Sequence, residues 1–149
     1  MTKILFVCHG NICRSPMAEF IMKHIVKQNG KENEFLIDSC AVSREELGNP
    51  IYPPAKSELF RRGIPINAHN AVLMSRDDYN RYDLIVAMDD SNLRNIYRIT
   101  GGDPENKIKK LLDYTADGGN VADPWYYGNF EKTFVDIYKG CTELFKSIT

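Results

Sequence analysis

Lys3-Ile4-Leu5-Phe6-Val7-Cys8-His9-Gly10-Asn11-Ile12-Cys13-Arg14-Ser15-Pro16-Met17 is the stretch that decides how this chain folds. Lys3 to Val7 is a short, almost unbroken apolar run, which suits a strand buried on both faces of a parallel sheet. Ser15 and Pro16 then open a helix, with serine as N-cap and proline at the first helical position. Met17, Phe20, Ile21 and Ile25 recur at helical spacing, and Gly30 supplies the stop. A buried strand handed to a helix through one tight loop is the opening half of a parallel α/β unit.

Outward from that unit the pattern repeats. Phe35 to Ile37 reads as a second strand, and Pro53 to Arg62 as a helix ending at Gly63. Asp83 to Met88 is a third strand, followed by a helix from Ser91 to Ile99, and Ile108 to Leu112 is a short fourth strand. Phe134, Ile137, Cys141, Leu144, Phe145 and Ile148 give the last segment a helical apolar face. Alternation of short strands with helices predicts one α/β domain over residues 1–149, a three-layer sandwich around a four-stranded parallel sheet. Right-handed crossovers limit the topologies. The flavodoxin-like order 2-1-3-4 puts the loop after the first strand at a topological switch point, where ligands bind.

Composition narrows the function classes. A chain of 149 residues buries a full core without staples, and 43% hydrophobic with 26% charged residues is ordinary for a globular domain. Nineteen Lys and Arg nearly cancel twenty Asp and Glu, so no global field points to nucleic acid or an anionic membrane. The start MTKILFVC has too short an apolar run for a signal peptide, and no stretch approaches the roughly 18 apolar residues of a membrane span. A cytoplasmic protein is expected. Cys8, Cys13, Cys40 and Cys141 form no CxxC pair, and His9, His24 and His69 lie at no ligand spacing, so no metal site is expected. Cys40 and Cys141 read as small core residues.

Cys8 to Ser15 carries the chemistry. The cysteine ends a strand, the arginine precedes the cap of a helix, and Gly10-Asn11 tolerate positive φ. Such a loop turns its amides inward as an anion nest, to which the helix N-terminus adds donors. Arg14 adds a planar fork that lysine cannot reproduce, and the same field favours the thiolate of Cys8. One loop thus binds a phosphate and activates the nucleophile that attacks it.

At this point Val7 to Glu19, V-C-H-G-N-I-C-R-S-P-M-A-E, resembles the signature of low-molecular-weight protein tyrosine phosphatases. The resemblance continues through Asp38-Ser39, Gly48-Asn49-Pro50, Gly63-Ile64-Pro65, His69 and Met88 to Arg94, and closes at Asp123-Pro124. It implies metal-independent hydrolysis of protein phosphotyrosine and small aryl phosphates through a cysteinyl-phosphate, with no cofactor. Cys8 is then the nucleophile, Arg14 the phosphate and transition-state binder, and Asp123 the general acid and later base. The loop residues His9, Gly10, Asn11, Ile12, Cys13, Arg14 and Ser15 would hold phosphate or other oxyanions. Ser15 would point its hydroxyl at the nucleophile, Asn11, Ser39 and His69 would brace the loop, and Asp89 would brace Arg14. Trp125 and Tyr126 are the expected cleft walls, with Tyr127 leaving the register ambiguous by one residue. Glu45 sits where relatives carry a variable side chain, and a carboxylate there repels acidic phosphopeptides or recruits basic ones.

Three competing classes follow from the same resemblance. Arsenate reductases share the loop but need relay cysteines, and Met88 to Arg94 holds none. Phosphoarginine hydrolases carry a small threonine where this chain has Ile12. A non-catalytic phosphopeptide-binding module would tolerate loss of Cys8 or Asp123, and both are present. Cys13, five residues from Cys8, is placed to trap an oxidised Cys8 as a disulfide. A monomer or weak dimer acting on tyrosine-phosphorylated protein is expected.

Overall fold

In the computed structural model of residues 1–149, four parallel strands stand in the order 2-1-3-4. They are β1 (Thr2–Cys8), β2 (Phe35–Ala41), β3 (Leu84–Ala87) and β4 (Ile108–Lys110). The helices are α1 (Arg14–Gln28), α2 (Pro53–Arg61), the one-turn α3 (Asp78–Arg81), α4 (Asp90–Thr100), the one-turn α5 (Pro124–Tyr127) and α6 (Phe130–Ile148). Strand β1 lies between β2 and β3, with Phe6 opposite both Ser39 and Val86.

The alternation of β1 sorts its side chains into two separate cores. Ile4, Phe6 and Cys8 join the larger core, built with α1, α2 and α6. Leu5 and Val7 join the smaller one, with Met74, Tyr79 and Ile96. Cys141 is packed into the first and Cys40 into the second. Helix α6 approaches the 3₁₀ turn Leu111–Tyr114 so closely at Gly140 that a Cβ there would lie 2.6 Å from Leu111 Cγ.

Several boundaries differ from the sequence reading, each for a local reason. Helix α1 starts at Arg14, so Cys13 is its N-cap and makes no side-chain capping bond. Ser15 is inside the first turn, and its hydroxyl is turned to Cys8 instead of to the backbone. Pro16 is still tolerated there, because first-turn amides have no intrahelical acceptor. Strand β2 continues past Ile37 through the polar Asp38-Ser39, since these residues pair with Leu5 and Phe6. Strand β3 is shorter than Asp83 to Met88. Asp83 accepts the Lys3 N–H at the entry, while Met88 N–H is taken by the Asn92 side chain at the exit. Helix α4 begins at Asp90 under Asp89, which forms a reciprocal capping box with Asn92. Strand β4 stops at Lys110, and Leu111 and Leu112 bury themselves from the 3₁₀ turn. Of Gly10 and Asn11, only Asn11 takes positive φ, at 59°.

Candidate active site

The loop between β1 and α1 is held by its own side chains. Asn11 sits in the left-handed region, which costs a non-glycine residue roughly 1 kcal/mol or more. Four hydrogen bonds hold it there. Its Nδ2 donates to Ser15 Oγ at 2.8 Å and to Ser39 Oγ at 2.9 Å. Its Oδ1 accepts the Val72 N–H at 3.2 Å, and its carbonyl accepts from His69 Nε2 at 2.7 Å, which makes Nε2 the protonated nitrogen. Farther along, Ile12 carbonyl accepts the Tyr52 N–H at 2.8 Å.

These contacts converge on Cys8. Its Sγ lies 2.9 Å from Ser15 Oγ and accepts the Asn11 N–H at 3.3 Å. The line continues backward to Glu19, a buried carboxylate on α1 that has no place in the sequence reading beyond its position in the signature. Glu19 accepts from Ser39 Oγ at 2.6 Å and from Lys23 Nζ at 2.6 Å. A carboxylate only accepts, so the Ser39 proton points at Glu19 and its lone pair faces Asn11. Asn11 likewise occupies a lone pair of Ser15. The Ser15 proton is left for Cys8 Sγ, the alternative being the more distant Cys40 carbonyl at 3.5 Å.

Arg14 is buried, with 3% of its side chain exposed, and its fork is fixed from behind. Nη1 donates to Asp89 Oδ2 at 2.6 Å and to Val121 carbonyl at 2.9 Å, and Nη2 lies 3.4 Å from Asp123 Oδ2. Burial works against its charge, but Cys8, Asp89 and Asp123 more than offset this and hold the guanidinium above its ordinary value. Asp89 serves two ends, since its other oxygen accepts the Asn92 N–H at 2.7 Å. Val121 N–H donates to Met88 carbonyl at 2.9 Å, which fastens the segment before Asp123 to the exit of β3. Asp123 caps α5 by accepting the Trp125 N–H at 3.0 Å, and Pro124 occupies the first helical position.

Together these groups enclose a slot of about 100 Å³. It is lined by Cys8, Gly10, Ile12, Cys13 and Arg14 of the loop, by Glu45 and Glu46 after β2, and by Asp123, Trp125 and Tyr126. His9 is at the lip, 3.2 Å from Glu45. Trp125 leans on Tyr52 with ring centroids 4.7 Å apart, so one wall is propped by an aromatic that the sequence reading does not single out. Glu46 is a second such residue, packed over Gly10. Tyr127 lines the neighbouring hollow and not the slot. Burial, with the negative groups Cys8 and Asp123 nearby, pushes the Cys13 thiol up to about 12. Of the residues picked from sequence, Cys8, His9, Gly10, Ile12, Cys13, Arg14, Glu45, Asp123, Trp125 and Tyr126 line the slot, while Asn11, Ser15, Ser39, His69 and Asp89 stand behind it.

A parallel α/β sandwich with a Cys-Arg loop at the switch point and an aspartate across from it defines a class, and comparison with known proteins names it. Residues 3–149 match the family described as low molecular weight phosphotyrosine protein phosphatase. The low molecular weight protein-tyrosine-phosphatase YfkJ of Bacillus subtilis is 39% identical over 150 residues, spanning 99% of this chain and 96% of its own. The Gallus gallus low molecular weight phosphotyrosine protein phosphatase is 38% identical, over 97% of this chain and 91% of its own. The crystal structure of YfkJ superposes with a TM-score of 0.96 over 99% of this chain and 94% of that one. That of SP-PTP from Streptococcus pyogenes, 36% identical, has a TM-score of 0.91 over 100% and 94%. The chain belongs to the low-molecular-weight phosphotyrosine protein phosphatase family and is an enzyme of that class.

Proposed function

We propose that this enzyme hydrolyses phosphotyrosine in proteins, and small aryl phosphates, by two successive in-line displacements at phosphorus. The observation that carries the reading is the convergence on one slot of the Cys8 sulfur, the braced Arg14 fork and the Asp123 carboxyl. In the first step Cys8 Sγ, as thiolate, forms the S–P bond while the P–O bond to the tyrosyl oxygen breaks. Asp123, protonated, gives its proton to that oxygen, and the phenol leaves. In the second step Asp123, now a carboxylate, takes a proton from water whose oxygen bonds to phosphorus. The S–P bond breaks, the thiolate returns, and inorganic phosphate is released. The Ser15 hydroxyl stabilises the thiolate, most usefully when sulfur is the leaving group.

Backbone amides of the loop and the Arg14 fork supply the positive field for the transferring phosphoryl group. Asp89 and Val121 carbonyl fix the plane of that fork. Trp125 offers a ring face to the phenyl group. A slot of this form favours the long reach of phosphotyrosine over phosphoserine. A protein described as drosophila arginine phosphatase shares the fold, with 28% identity and a TM-score of 0.88. Ile12 lines the slot here, and its bulk favours an aryl group over a phosphorylated guanidine.

The test is a paired substitution. Cys8→Ser abolishes turnover of para-nitrophenyl phosphate while phosphate still binds, because the amide cup survives. Asp123→Asn slows poor aryl leaving groups more than good ones, so the leaving-group dependence of kcat steepens. Equal loss on both kinds of ester, or turnover by Cys8→Ser, would end the assignment.

A further inference from the structure

Beside the slot the surface falls into a second, larger trough of about 950 Å³, and His9, Arg14, Asp123 and Tyr126 line both. The slot takes one side chain. A peptide carrying it must cross the mouth, and one flank then descends into the trough. This inference rests on the phosphotyrosine reading above.

Charge bookkeeping singles out one group in the trough. Arg14 is engaged by Asp89 at 2.6 Å and by Asp123 at 3.4 Å, and Lys132 by Asp136 at 2.7 Å. Asp90 is neutralised by Lys110 at 2.9 Å, a bond that also holds its carboxyl below the usual range. Arg94, exposed one turn into α4, lines the same trough; its side chain makes neither an ion pair nor a hydrogen bond, although its charge helps lower the Asp90 carboxyl. Glu45 and Glu46 line the slot but not the trough, with Glu45 lying 3.2 Å from His9. Each carboxylate lining the trough thus has a cationic partner, Arg94 is the trough cation without an ion pair, and two further carboxylates line the adjoining slot.

We propose that Arg94 makes the trough an acid-accepting subsite. The enzyme then prefers phosphotyrosine peptides with a carboxylate on the flank entering the trough and none on the flank passing Glu45 and Glu46. Arg94 is a specificity residue and does not touch the reacting phosphate.

Two peptides of identical composition test this, one with three acidic residues before the phosphotyrosine and a neutral flank after it, the other reversed. The wild-type kcat/KM ratio between them departs from one by about fivefold in one direction, the size that solvent-exposed ion pairs command. Arg94→Glu brings the ratio to one or past it, and Arg94→Gln falls between. Lys146→Glu, which makes the same change in net charge far out on α6, leaves the ratio as in wild type. Reading a ratio within each variant cancels any general change in activity. A wild-type ratio near one, a ratio indifferent to Arg94, or one moved equally by Lys146→Glu overturns the subsite. Failure of the wild type to hydrolyse para-nitrophenyl phosphate, which has no flanks, overturns the phosphatase reading instead.

Discussion

Replacing Glu19 by glutamine tests the direction of every proton in the line behind Cys8. The substitution keeps shape and removes a charge. Lys23 Nζ, 2.6 Å from one Glu19 oxygen, keeps the glutamine carbonyl, so the new amide turns its N–H toward Ser39. Ser39 then has a donor on one side and the Asn11 amide, another donor, on the other. In part of the population Asn11 answers by rotating its amide, which forfeits the Val72 N–H bond but offers its oxygen to Ser39 and Ser15 and pulls the Ser15 proton away from Cys8 Sγ. Two magnitudes follow. Exchanging a charge-assisted hydrogen bond (about 1.5–3 kcal/mol) for a neutral one (about 0.5–1.5 kcal/mol) destabilises the fold by about 1–1.5 kcal/mol. For about 150 residues that lowers Tm by roughly 3–6 °C. The thiolate loses a bond worth about 1.5–3 kcal/mol in the rotated population, and a partial loss lowers kcat by roughly tenfold. Steady-state kinetics on para-nitrophenyl phosphate, with calorimetric Tm, reads both. KM stays within about twofold, because the amide cup and Arg14 are untouched. A lowered Tm with kcat at the wild-type level would refute the proton argument and leave Glu19 a packing residue. Glu19→Asp, which keeps the carboxylate, recovers part of kcat.

Other outcomes can be checked with less apparatus. Arg14→Lys keeps a charge but loses the planar fork and both rear contacts, so kcat/KM falls by about 100-fold or more, measured on aryl phosphates. Peroxide inactivates the enzyme, phosphate slows the loss, and dithiols reverse it in wild type but far less in Cys13→Ser; equal recovery, with no Cys8–Cys13 peptide by mass spectrometry, leaves Cys13 as filler. The Cys13 thiol, pushed up to about 12, and the buried Cys40 and Cys141 thiols, also raised, stay neutral in the fold, whereas unfolding frees them to ionise near 9. Their contribution is therefore intact below pH 9 and is lost as pH rises above it. Cys141→Ala reduces the steepness of alkaline destabilisation by about 1.4 kcal/mol per pH unit, read from urea melts. Gly140→Ala forces a Cβ into Leu111 and lowers stability by about 1–3 kcal/mol by the same melts; an unchanged midpoint would mean that α6 shifts freely.

The sheet order and the loop at its switch point were legible because β1 is apolar on both faces and Ser15-Pro16 marks a helix start. The misreading of Ser15 as an N-cap is instructive. Serine before proline is a capping signal, yet the same hydroxyl is spent on Cys8, and no local pattern separates the two uses. Strand β2 was read short for a related reason. Asp38 and Ser39 look like a strand end, but Tyr82 donates to Asp38 and Asn11 to Ser39, so partners distant in sequence allow polar residues in the sheet. Glu19 was visible only as one letter of a signature on an otherwise buried helix face. A carboxylate at such a position, followed by Lys23, was the available clue. Glu46 and Tyr52 left none, since their importance depends on how the loop after β2 folds over Gly10 and under Trp125.

The two halves of the slot are anchored with unequal strength. Cys8 ends a strand gripped by neighbours on both sides and by a core on each face, so its backbone amides open only with the whole molecule. The Asp123 segment, outside the sheet, is tied to the rest by the Val121–Met88 bond, the Arg14 contacts, the burial of Val121 and Pro124 and the packing of Trp125 on Tyr52. Amide exchange should separate them by orders of magnitude, slowest along β1 and fast from Ala122 to Tyr127. On the roles proposed above, warming or mild denaturant reaches a stage in which phosphate is still captured but no proton can be delivered to the ester. The protein stops turning over before it stops binding.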